Sequence, residues 1–103
     1  MPAKKLKREL PGHEVMTVPE AGWASKKNGE LLRLMTGQFE VFITIDGNLQ
    51  YQQKLKEMTV AFVLLISVNN KFENLKPLMP LVLKSLETIQ PGDVIEVKLA
   101  DEA

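Results

Sequence analysis

The chain has no cysteine and a single histidine. The first absence excludes disulfides, thiolate zinc sites and cysteine nucleophiles together, and the second leaves too little imidazole for a histidine metal site or proton relay. Carboxylates must therefore carry any metal or acid–base chemistry. Neither sign of charge is in excess, since 13 Lys and Arg stand against 13 Asp and Glu. With no overall field to hold a polyanion, nucleic-acid contact would need a local cluster. Long apolar runs are missing too: none approaches the roughly 18 residues that a membrane span needs. The basic residues 1–10 lack the apolar segment of a signal peptide. A soluble, cytoplasmic protein is expected, and 103 residues suit one domain with a modest core.

What is present centres on Val41-Phe42-Ile43-Thr44-Ile45, followed at once by Asp46-Gly47-Asn48. A run this apolar on successive residues suits a strand covered on both faces, as in a parallel sheet flanked by helices. Ligands gather at the carboxyl ends of such strands, which makes Asp46 the first functional candidate. Asp-Gly between two apolar runs is also a hairpin signal, and residues 49–52 do alternate. The strand-end reading is preferred because Tyr51, Leu55 and Met58 fall at helical spacing, in a stretch from Leu49 that holds no β-branched residue before Thr59.

The remaining segments read in order. Residues 4–10 form a short helix with Ala3, Leu6 and Leu10 on one face, stopped by Pro11-Gly12, and the tetrad Lys4, Lys5, Lys7 and Arg8 reads as an ordinary solvated face. Residues 13–18 are expected as a strand closed by Pro19, with His13 exposed. Trp23 should pack over a helix end. Ser25 or Asn28 would cap a helix running to Thr36, with Leu31, Leu32, Leu34 and Met35 buried and Gly37 as the left-handed stop. Glu30 then sits in the first turn, where an acid complements the helix dipole, or, with Asp46 nearby, could be one of a pair. Residues 49–58 are expected as a helix and 59–66 as a central buried strand. Phe72, Leu75, Met79, Val82, Leu86 and Ile89 mark one face of a helix whose regular part begins between Pro77 and Pro80. Residues 93–99 close the domain as an edge strand. This alternation is an α/β order and predicts a three-layer sandwich around a mainly parallel sheet.

Gly12-His13-Glu14-Val15, Gly22-Trp23, Asn28-Gly29-Glu30-Leu31-Leu32, Phe42-Ile43-Thr44-Ile45-Asp46 and Asn48-Leu49-Gln50-Tyr51-Gln52-Gln53, in this order and spacing, resemble small bacterial PIN-like domain proteins related to VapC-type toxins. Nearly the whole chain takes part in the resemblance. It implies a PIN-like α/β fold and a Mg2+- or Mn2+-dependent ribonuclease, the toxin half of a toxin–antitoxin pair, with RNA as substrate and an antitoxin protein as partner. Hard oxygen ligands suit such ions. Carried over by position, Glu30 and Asp46 match the family's metal-binding and catalytic acids, with Asn48 as a polar, substrate-binding support. Two departures accompany this. Gly47 stands where the family usually has a basic residue, and the family's opening strand, which ends in Asp-Glu-Asn-Leu-Pro, has no counterpart before Pro2. Glu9 and Glu14 do not replace its acids. A PIN-like sheet lacking its first strand should expose an edge or pair it with a second copy, so a homodimer is expected. A catalytically inactive PIN-like interaction module is the other reading of the same residues.

Overall fold

The computed structural model describes residues 3–45 and 59–99. Their helices are α1 (Ala3–Lys7), α2 (Asn28–Met35), α3 (Phe72–Leu75) and α4 (Met79–Leu86), with a 3-10 turn, Lys76–Leu78, joining the last two. Their strands are β1 (Val41–Thr44), β2 (Ala61–Leu65) and β3 (Val94–Val97). The sheet runs β1-β2-β3 with both pairings parallel, Val41 opposite Ala61 and Phe62 opposite Val94. The chain is thus an α/β protein built on a parallel sheet. The helix expected over 49–58, and the hairpin alternative to it, lie outside the described residues.

Five successive apolar residues make β2, and all five are buried, because both faces of the central strand are covered. Val63 and Leu65 point to a cluster with Leu6, Leu10, Leu75, Leu78, Met79 and Val82. Phe62 points the other way, to Leu32, Met35 and Val60 of a second cluster, against which Trp23 and Phe39 pack. One face of the sheet is therefore covered by α1, α3 and α4 and the other by α2. Prolines set the break in the C-terminal helical stretch. Pro77 falls in the first turn of the 3-10 segment and Pro80 in that of α4, the places where a missing N–H costs least, and α4 accordingly starts at Met79.

Several expectations need correction. No strand forms at 13–18, although the residues there favour one, since a strand exists only through its neighbour and no described strand lies alongside. Helix α2 begins at Asn28, so its N-cap position is Lys27, with no side-chain hydrogen bond, and not Ser25. Leu34 is only half-buried, unlike Leu31, Leu32 and Met35. Helix α1 ends at Lys7 and the chain continues in turns closed by Glu9 N–H to Leu6 C=O (2.9 Å) and Leu10 N–H to Lys7 C=O (3.2 Å).

Gly37 ends α2 as expected, at φ +86°. A Cβ added there would meet nothing within 4 Å, so only the backbone objects. Gly37→Ala is expected to cost about 1–2 kcal/mol, the price of a left-handed residue with a side chain. Urea denaturation would show it as a lower midpoint with an unchanged slope; an unchanged midpoint would mean that this turn relaxes without cost.

Candidate functional site

Glu30 lies in the first turn of α2. The other end of that helix is tied to the start of β1, through Phe39 N–H donating to Met35 C=O at 2.9 Å, so Glu30 is at the end remote from the strand's beginning. Its carboxylate is exposed and meets Lys26 Nζ at 3.3 Å, four residues back on the same side. An exposed pair at this spacing contributes about 0.3–0.5 kcal/mol, which is what a helix start needs from an acid and no more. Asp46 and Asn48, the other two expected site residues, lie outside the described residues. Among the described residues no three His, Cys, Asp or Glu side chains converge. A hard divalent ion wants about six oxygen ligands, and among the described residues the Glu30 carboxylate could offer one side of that shell in exchange for Lys26.

The chain just beyond the carboxyl end of β2 carries features that composition does not show. Ser67 Oγ is buried there and has no hydrogen-bond partner among the described residues. Leaving a hydroxyl in that state costs about 1–3 kcal/mol, so its position is unusual. Beyond it, Asn69 Oδ1 accepts from Lys71 N–H at 2.9 Å and from Asn74 Nδ2 at 2.8 Å, setting the turn into α3. The ring of Phe72 then takes two ammonium groups, Lys5 Nζ at 5.8 Å and Lys76 Nζ at 5.9 Å from its centroid. One member of the basic tetrad, Lys5, thus stands at the start of α3, and both it and Lys4 are exposed.

A third group forms around a motif in the sequence. Thr17-Val18-Pro19-Glu20 has the S/T-x-x-E spacing of a capping box, and its bonds are reciprocal: Thr17 N–H to Glu20 Oε1 (2.9 Å) and Glu20 N–H to Thr17 Oγ1 (3.2 Å). Lys7 Nζ adds a salt bridge to Glu20 at 2.9 Å, fastening this turn to α1. The Thr17 N–H first, and then the Lys7 ammonium, lower the Glu20 pKa from 4.5 to about 2. Because the folded value is the depressed one, the stabilisation is complete above the ordinary value of 4.5 and is lost as pH falls toward about 2. An NMR titration should place the Glu20 midpoint near the lower value, and Glu20→Gln should flatten the acid limb of stability against pH. A midpoint near 4.5 would show that these bonds open in solution.

A concavity follows the outer edge of β1. It has a volume of about 1100 Å³ and is lined by Val41–Ile43, by 13–19, and by Leu6 of α1 with Leu10 of the turn that follows. No protein family, curated protein or solved structure matches this chain.

Proposed function

We propose that the chain is a PIN-like domain, a three-layer α/β/α sandwich whose function is metal-dependent cleavage of RNA at the carboxyl edge of its sheet. Mg2+ or Mn2+ is the cofactor of this proposal, with Glu30 and Asp46 as its ligands and Asn48 as their polar support. Its place in the cell would be the toxin half of a toxin–antitoxin pair. The observation that carries the reading is β1 itself: an apolar strand, parallel to β2, that runs directly into Ile45 and then Asp46. In parallel sheets that is where ligands bind. The Lys5 ammonium at the start of α3 is a cation that a phosphodiester backbone could use, whereas Lys76 is already paired with Glu9 at 3.6 Å.

A second reading has its own observation. Glu30 is exposed and paired with Lys26, and among the described residues it belongs to no group of three His, Cys, Asp or Glu side chains, which suits a catalytically silent interaction module. Magnesium titration followed by NMR separates the two. Shifts confined to Glu30, Asp46 and their neighbours support the nuclease, and no shift up to high millimolar magnesium supports the binding module.

A further inference from the structure

We propose that the concavity beside β1 is an acceptor for one extended segment of a partner polypeptide, apolar on both faces, which enters as an additional parallel strand. This rests on the edge geometry and not on metal chemistry, so it stands or falls separately from the ribonuclease reading.

Backbone geometry comes first. Ala61 N–H donates to Glu40 C=O at 2.8 Å, and peptide groups alternate sides along a strand, so Glu40 and Phe42 face β2 while the N–H and C=O of Val41 and Ile43 face outward. Among the described residues nothing pairs with those outward groups, and they line the groove. Burial agrees with an unfinished edge. All four residues of β1 are only half-buried, whereas every residue of β2 is buried. Edge strands are normally blunted by lysine, proline or a bulge, and Val-Phe-Ile-Thr carries none of these. Met16, across the groove, is 50% exposed, and Ile45, just past β1, is 39% exposed.

The groove also states the chemistry of its occupant. Leu6, Leu10 and Met79 line it from the cluster on one face of the sheet, and Met35, Phe39 and Trp23 from that on the other. A strand lying here would send alternate side chains into two apolar surroundings, so it should be aliphatic at successive positions and not merely at every second one. At about 1100 Å³ the space is at the upper limit for a small-molecule pocket, typically about 300–1,000 Å³. Charge sets the direction. Glu40 lines the groove just before β1, while Lys4 and Lys5 line it by the start of α3, where Lys5 lies over Phe72. The occupant should therefore be basic or neutral where it enters beside Glu40 and acidic where it leaves beside the lysines, which makes it parallel to β1. A second copy fits less well. Entering parallel to β1, its own edge strand would set Glu40 beside Glu40, two like charges.

The probe is a synthetic peptide of about eight residues, Lys at the amino end, Val, Ile and Leu through the middle and two Glu at the carboxyl end, read by amide hydrogen exchange in the intact chain. Exchange at Val41 and Ile43 should slow by about tenfold or more with peptide, while Phe42, already in the ladder, should not change. The same peptide with its charges reversed should bind about tenfold more weakly, and one N-methylated at alternate residues should not slow exchange at all. Met16→Glu, at an exposed position that leaves the fold intact, should weaken binding by a similar factor. Unchanged exchange at Val41 and Ile43 in millimolar peptide would overturn the proposal. So would protection of those amides that rises with protein concentration in the absence of peptide, because the occupant would then be a second copy.

Discussion

Phe62→Ala is expected to remove about 3–5 kcal/mol of stability, a large share of the roughly 5–15 kcal/mol that holds a domain of this kind folded. The ring is 2% exposed at the centre of β2 and joins Leu32, Met35 and Val60 beneath α2. It also meets Phe42 of β1 edge-to-face, with centroids 6.4 Å apart and planes at 85°. Such a contact adds about 0.5–1.5 kcal/mol beyond the area buried. Truncation therefore opens a cavity and loosens β1 at the same time. Leu81→Ala serves as the control: Leu81 is 38% exposed on α4, and its loss should stay within about 0.5 kcal/mol. Urea unfolding of the two variants measures the difference. A loss below about 1 kcal/mol for Phe62→Ala would mean that the second cluster is not the tightly packed half of the core described above.

Asp46→Asn should reduce metal-dependent RNA cleavage to background while leaving the fold intact or slightly more stable. If Glu30 and Asp46 face one ion, they also repel one another in its absence, and neutralising one relieves that repulsion. Glu30→Gln should weaken the metal without unfolding α2, since a first-turn acid contributes only about 0.3–1 kcal/mol through the helix dipole. The assay compares cleavage of a single-stranded RNA in magnesium by the unaltered chain and both variants. Undiminished cleavage by Asp46→Asn would remove Asp46 from the site, and no cleavage by any of the three would favour the interaction module.

Much of the scaffold could be read without coordinates because its signals are local. Residues 60–66 are apolar at every position, the pattern of a strand covered on both faces, and Ala61–Leu65 is that strand. Pro77 and Pro80 confine the regular helix to a start between them, and Met79 obeys. Gly37 stops α2 because no other residue takes its φ cheaply. What failed was relational. Residues 13–18 have the composition of a strand, but pairing is a property of two segments, and the described sheet offers these residues no partner. Ser67 could not be singled out, since neither its burial nor its missing partner leaves a mark in the sequence. Thr17 and Glu20 could have been, from their three-residue spacing alone. Of the expected site, Glu30 is found at the first turn of α2 as anticipated, in the pairing that an ordinary surface acid would have.

Everything proposed for the groove depends on β1 having one satisfied edge and one open edge. Amide hydrogen exchange of the chain at micromolar concentration, without peptide, measures that directly. Protection should alternate: slow at Phe42 and throughout Ala61, Phe62 and Val63, where the ladder holds the N–H groups, and fast at Val41 and Ile43, which face the groove. Slow exchange at Val41 and Ile43 equal to that of β2, in a chain shown to be monomeric by sedimentation, would contradict the open edge.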